Sequence, residues 1–217
     1  MIEIEKKFLA QADDLKAMLN HFTLPDGYSA TDIQYNVHHQ SRYYDTFDLD
    51  FFKAGIALRV RAMAHGDYEQ TMKVALKPGD IEERKEINLA LANDKPQWEA
   101  FKNHFHLENA DRLIDSLIPI FDCNVMRTSI LCEQDETPDG QDPFRVELDF
   151  DLGHIIVEDQ SEEVAELEME LKSGTRDQLD QFARNVRMYY PFLQLSNISK
   201  AQRGFTLYRS ILDNLPN

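Results

Sequence analysis

Cysteine, tryptophan and positive charge are all scarce in this chain of 217 residues, which has two Cys, one Trp, and 23 Lys and Arg against 39 Asp and Glu. Cys123 and Cys132 show no C-x-x-C pattern, so neither a disulfide framework nor a zinc site is expected, and both read as strand residues of a reduced protein. The net charge of −16 counts against nucleic acid and anionic membranes as partners, because long-range repulsion opposes both, although it says nothing of local segregation. No apolar run is long enough to span a bilayer, and the amino terminus lacks a basic flank followed by an apolar stretch. The expectation is therefore no transmembrane helix, no signal peptide and a cytoplasmic location. Repeats, low-complexity stretches and Pro/Gly/Ser linkers are also missing. With 42% hydrophobic residues the chain suits one domain over residues 1–217 with a sizeable core.

What is present is mostly strand. Met1-Ile2-Glu3-Ile4-Glu5-Lys6-Lys7 alternates, so a β-strand puts Glu3, Glu5 and Lys7 on one face, where two carboxylates and an ammonium can hold a hard cation beside an anion. Alone, such a motif is ordinarily the wet face of an edge strand. Residues 31–46 predict a strand ending at Tyr43-Tyr44-Asp45-Thr46. Residues 56–63 and 68–77 flank His65-Gly66-Asp67 and predict a hairpin. Further strands are expected at Glu83–Leu91 and near 123–133, 144–157 and 163–172, with Asp139-Gly140 turning the second of these four into the third. Helical spacing marks Asp13–Phe22 and two stripes between Asp94 and Phe121, one with Trp98, Phe101 and Phe105 and one with Leu113, Ile114, Leu117 and Ile118. A capping box at Thr175 and Gln178 predicts a helix through Tyr190, and Ser199 a last helix carrying Phe205, Leu207 and Tyr208.

The strands share a property that single strands do not explain: one parity is apolar and the other carries long charges of both signs. Arg59 and Arg61 oppose Leu58 and Val60; Lys73 follows Thr71; Arg84 and Glu86 share a face. Arg145, Glu147, Asp149 and Asp151 form one charged ladder, and Glu166, Glu168 and Glu170 another. Solvent faces usually mix in Ser, Thr, Gln and Asn, and the amphipathic helices need an apolar sheet face to cover. If the helices cover the outside, the charged faces meet in the middle. The expected fold is thus α+β, an eight-stranded antiparallel β-barrel with a charged lumen and helices packed outside.

Crowding Arg59, Arg61, Lys73, Arg84, Arg127, Arg145 and Lys200 into such a lumen is costly without a polyanion. Crowding Glu3, Glu5, Glu147, Glu166, Glu168 and Glu170 beside them is costly without cations. Both costs vanish with a metal–polyphosphate, since arginine suits bidentate phosphate contacts and carboxylates suit Mg²⁺ or Mn²⁺.

These segments resemble the CYTH superfamily of triphosphate tunnel metalloenzymes, whose hallmark E-x-E-x-K is Glu3-Ile4-Glu5-Lys6-Lys7 here. The likeness continues through Tyr44-Asp45-Thr46, Leu58-Arg59-Val60-Arg61, Thr71-Met72-Lys73, Arg84-Lys85-Glu86-Ile87-Asn88, Arg127, Asp151-Leu152-Gly153, Glu166 to Leu171, and Ser199-Lys200-Ala201-Gln202-Arg203-Gly204. The last and the R-x-E-x-N segment look most like the bacterial inorganic triphosphatase branch. The resemblance implies a tunnel that binds triphosphate or another small polyphosphate and cleaves it with divalent metal. Thiamine triphosphatase, class IV adenylyl cyclase and a noncatalytic polyphosphate-binding module are the alternatives. Carried onto this sequence, it implies metal at Glu3, Glu5, Glu168 and Glu170, with Glu166 or Glu147 orienting water or a second ion. It implies phosphate contacts from Arg59, Arg61, Lys73, Arg84, Arg127 and Arg145, with Lys7 and Lys200 near the reacting end. Ile130 stands where many relatives carry an aromatic residue, and where members of that branch often continue into a histidine-bearing CHAD domain this sequence gives seven residues after Ser210, as a stand-alone form or a cut sequence would. The seven histidines, His38-His39 and His104-x-His106 among them, match no family site and read as surface or helix residues.

Overall fold

The computed structural model describes residues 2–63, 66–76, 82–97, 114–137 and 142–214. Its strands are β1 (Ile2–Leu9), β2 (Tyr28–Asp45), β3 (Ile56–Ala62), β4 (Tyr68–Ala75), β5 (Glu83–Leu91), β6 (Ile118–Gln134), β7 (Arg145–Val157), β8 (Gln160–Ser173) and β9 (Gln194–Ser196). Its helices are α1 (Ala12–Asn20), α2 (Asp50–Lys53), α3 (Arg176–Tyr189) and α4 (Lys200–Asp213). No helix among the described residues is long and apolar enough to cross a membrane.

All pairings are antiparallel, in the order β5-β4-β3-β2-β6-β7-β8-β1-β9, and β1 also pairs β5, so eight strands close a ring. Closure depends on β1 serving three partners. Its start, Ile2 to Ile4, lies against Lys85 to Glu83, while Glu5 to Leu9 lies against Glu170 to Glu166. Lys7 to Leu9 also takes β9.

The apolar parity faces outward, under the helices. Phe8, Leu148, Phe150, Leu167 and Met169 are buried beneath Leu15 and Met18 of α1 and Leu179, Phe182 and Val186 of α3. Each such side chain contributes about 1.5–3 kcal/mol. Thr175 opens α3 with a reciprocal capping box through Gln178. Asp45, fully buried, accepts the N–H groups of Thr46, Phe51 and Phe52 and so anchors the start of α2. Ser199 and Gln202 form a second capping box at α4. That helix seats Phe205 edge-on against Phe121, with ring centroids 5.2 Å apart. The seat is close because Gly204 faces the Phe121 ring, where a Cβ would sit 2.4 Å from ring carbons. Two glycine-dependent approaches therefore frame the lumen, the other being Gly153 of β7, whose added Cβ would lie 2.0 Å from the carbonyl oxygen of Asn124 on β6.

The elements differ from expectation in places. Ile118 opens β6 instead of ending a helix, because residues 118–121 pair with β2. Of the two helices expected between Asp94 and Phe121, the described part holds one 3₁₀ turn, Ile114–Ser116, with Ile114 and Leu117 packed on the core beneath β3 and β4. Trp98, Phe101, Phe105 and Leu113 lie outside the described residues, as do His65, His104, His106, Asp139 and Gly140. The short α2 and β9 were not expected. Cys123 and Cys132 are buried free thiols, as expected of strand residues.

Candidate active site

The charged parity faces inward onto a cavity of about 200 Å³. The structure brings Glu3, Glu5, Lys7, Arg59, Arg61, Lys73, Arg84, Arg127, Glu147, Glu168, Glu170 and Lys200 together around it. Each reaches the lumen because alternate residues of a strand share a face, and directly opposed residues of neighbouring strands share the same one. Lys200 arrives differently, on the first turn of α4, which borders the cavity with Ser199 and Ala201.

Most of the cations are paired. Lys73 bonds Glu3 at 2.7 Å and Glu86 at 2.7 Å. Arg84 bonds Glu5 and lies 3.3 Å from Glu3. Arg127 makes a two-nitrogen fork on Asp151 at 2.7 and 2.6 Å and also reaches Asp149 and Glu168. Lys7 and Lys200 converge on one oxygen of Glu168, and both bond Glu166, at 2.9 and 2.7 Å. Burial alone would push the Lys200 ammonium down, but Asp151, Glu166 and Glu168 outweigh it and hold its pKa well above the usual lysine value. Burial likewise works to raise Glu168, yet Lys200, Lys7 and Arg127 hold it well below the carboxylate range. Glu5 goes the other way, raised by burial in spite of Arg84.

Arg59 and Arg61 are the exceptions: among the described residues neither has a carboxylate partner within 4 Å. Arg61 donates through Nε to Ser41 Oγ at 3.2 Å, and the buried Nε of Arg59 has no hydrogen-bond partner. Burial, together with Arg59 and Arg127, pushes the Arg61 guanidinium down to about 9. Burial works to lower Arg59 as well, but Tyr43 and Glu86 outweigh it and hold its pKa above the usual value, so one wall of the lumen carries two guanidiniums without a direct carboxylate contact.

Two residues read as site members lie elsewhere. Arg145, at the β7 end where the register with β8 shifts, is 47% exposed and pairs with Glu133 at the surface, 2.8 Å away. Glu166 is fully buried at the far end of its ladder, beneath α4, with its oxygens taken by Lys7, Lys200 and Arg203. Its carboxylate thus has no free oxygen to orient a water, and it holds two ammoniums in place. Sequence reasoning passed over Glu86, Asp149 and Asp151 as site residues, although they continue the inward parity of Arg84 and Glu147. It also passed over His39, whose cross-strand partner Val125 lines the cavity.

The donor set suits a hard divalent cation: Glu5 and Glu170 are directly opposed across β1 and β8, with Glu3, Glu147 and Glu168 in the same lining. It is not a preassembled cage, since no group of three such ligands converges among the described residues. Ammonium and guanidinium groups stand between the carboxylates instead, Lys172 bridging Glu147 and Glu170 at 2.7 and 2.9 Å.

Comparison with known proteins agrees with this architecture. The CYTH domain model matches residues 1–205. The chain is 29% identical over 174 residues to the inorganic triphosphatase of Haemophilus influenzae, covering 76% of this chain and 44% of that protein, so it spans less than half of that relative's length. A candidate adenylate cyclase of Bacillus halodurans has a similar fold, with a TM-score of 0.53 at 17% identity, covering 93% of this chain and 96% of that one. So does a candidate adenylyl cyclase of Hippeastrum described as having a dominant triphosphatase activity, with a TM-score of 0.52 at 14% identity over 96% of this chain and 95% of that one.

Proposed function

Because this chain belongs to the CYTH domain family, we propose that it is a metal-dependent hydrolase that splits inorganic triphosphate into pyrophosphate and phosphate inside the tunnel. The observation that carries this reading is the wall formed by Arg59 and Arg61. Buried like charges without carboxylate partners are costly, and a small polyanion removes that cost as it binds. Arg127, Lys73 and Arg84 complete the clamp by exchanging part of their carboxylate contacts for phosphate oxygens. Lys7 and Lys200, oriented by Glu166, stand at the reacting end and neutralise charge on the oxygen that leaves. Phosphoryl transfer asks for positioning and charge neutralisation more than for covalent chemistry, so no nucleophilic side chain is required. Glu3, Glu5, Glu168 and Glu170, with Glu147 beside them, would hold Mg²⁺ or Mn²⁺, which supplies Lewis acidity and further charge neutralisation.

An inorganic substrate fits better than thiamine triphosphate or ATP because Tyr43 alone is aromatic among the described lining residues, leaving no cage for a base or a thiazolium. The test is a panel of tripolyphosphate, thiamine triphosphate and ATP with Mg²⁺ or Mn²⁺, read for phosphate, pyrophosphate and cyclic AMP. Tripolyphosphate should be the best substrate and yield pyrophosphate and phosphate. Cyclic AMP from ATP, or a higher kcat/KM for thiamine triphosphate, would replace this reading with one of its relatives.

A further inference from the structure

His39 lies on the inward face of β2, two residues before Ser41 and four before Tyr43, both of which line the cavity. It is the first inward residue past the point where β2 parts from β3, whose pairing ends at Gln40 and Ala62. The Nδ1 atom of His39 is buried and has no hydrogen-bond partner. The charged groups near enough to act on the imidazole are Arg61 and Arg59 of β3, Arg127 of β6 and Asp151 of β7. Two of these guanidiniums are the ones without a carboxylate, and Asp151 is already committed to Arg127 and Lys200.

Resting on the triphosphatase reading, we propose that His39 is a substrate contact of the tunnel, which takes up one proton from solvent as the triphosphate binds and donates Nδ1–H to a phosphate oxygen beyond Arg61. In the empty tunnel burial and then the fields of Arg61 and Arg127 keep the imidazole neutral, holding its pKa down to about 3. A polyanion seated on Arg59 and Arg61 reverses that field and offers an acceptor to the unpartnered nitrogen. The bound state then has the higher pKa, so binding tightens as pH falls through the bound-state value. An inward histidine thus makes grip on the substrate depend on acidity, where a further lysine would not.

The experiment is calorimetric titration of the full chain with tripolyphosphate in EDTA, where no divalent metal supports turnover, at pH 6 to 8 in buffers of different ionisation heat. Wild type should take up close to one proton more per bound tripolyphosphate than His39→Gln, and its affinity advantage over that variant should grow as pH falls, toward about tenfold per pH unit. His39→Lys should keep the affinity and lose the extra proton uptake. Equal proton uptake by wild type and His39→Gln would overturn the inference while leaving the tunnel reading intact. Failure of wild type to bind tripolyphosphate would overturn the tunnel reading itself, and this inference with it. The ring nitrogen shifts of His39 in wild type give a second measurement independent of any variant. They should change from the neutral to the imidazolium pattern on adding tripolyphosphate at pH 7, and neutral shifts in the saturated protein would refute the proton uptake.

Discussion

Glu5 and Glu170 occupy the same rung of the β1–β8 ladder, two inward carboxylates directly opposed, and burial pushes both pKa values up. Like charges in that position are destabilising unless a cation joins them. Glu5→Gln and Glu170→Gln should therefore be no less stable than wild type without metal, since each removes the repulsion across the rung while Arg84 keeps Glu3 and Lys172 keeps Glu147. Each should weaken Mn²⁺ binding at least about tenfold, the scale of one lost charged contact of ~1.5–3 kcal/mol. Thermal melting in EDTA and Mn²⁺ titration check the pair, and unchanged Mn²⁺ affinity in both would remove these carboxylates from the metal set.

Not all lumen cations should behave alike on removal. Lys200→Met removes a cation shared by Asp151, Glu166 and Glu168 and leaves that buried cluster one positive charge short, so it should cost about 3–5 kcal/mol, the scale for breaking a buried pair. Arg61→Ala strands no carboxylate and relieves repulsion with Arg59 and Arg127, so the empty protein should lose little or gain. The same substitution should weaken tripolyphosphate binding by roughly tenfold or more through a lost contact of ~1.5–3 kcal/mol. Urea unfolding and calorimetry separate the two effects, and equal destabilisation by both variants would contradict the partner assignments.

A ligand that binds only the folded tunnel stabilises it by mass action, about 2.7 kcal/mol at a hundred times its dissociation constant. Tripolyphosphate in EDTA should raise Tm by several degrees, and orthophosphate at equal ionic strength by much less. Equal shifts would mean general screening of the acidic chain.

The Asp149 carboxyl is pushed up to about 6, first by burial, against the pull of Arg127 and Ser129. A raised acid contributes stability that is complete below its unfolded pKa of about 3.9 and is lost as pH rises through the folded value. Asp149→Asn, which stays neutral, should therefore compare more favourably with wild type at pH 7.5 than at pH 4. Melting curves across that range would show a Tm difference that moves with pH, and a flat difference would mean that Asp149 does not titrate there.

Gly153→Ala is the sharpest steric test, because its Cβ would strike the Asn124 carbonyl, which belongs to the ladder and cannot rotate away. A loss of about 1–3 kcal/mol or more is expected. Chemical denaturation within 0.5 kcal/mol of wild type would show that β6 and β7 can part there.

Much of the inward set was readable from parity because charge alternates with apolar residues on β1, β3, β7 and β8, so the pattern itself marked two faces. Parity cannot say where a strand leaves the ring. That is why Arg145 read as a phosphate contact though it turns out to Glu133, and why Glu166 read as a working carboxylate though α4 covers it. His39 was passed over for a related reason: its neighbours Val37 and His38 are exposed, so nothing local distinguishes the rim of a lumen from an open surface. The three residues of β9 are too few to show a period, and they add an edge to β1 only once the ring exists.

β1 leaves the ribosome long before the strand that completes it: Lys7 and its partner Glu166 are 159 positions apart. At roughly 5–20 residues per second the first strand waits on the order of ten to thirty seconds for β8. An alternating apolar edge of that length would be an invitation to pair with a neighbouring nascent chain. Glu3, Glu5 and Lys7 on one face, with Lys6 on the other, make such pairing unfavourable until Arg84 of β5 arrives for Glu5 and Glu166 and Glu168 of β8 arrive for Lys7. The residues proposed to hold metal and phosphate would thus also serve as gatekeepers during synthesis, and neutralising several at once would be felt first as lower soluble yield, before any assay of turnover.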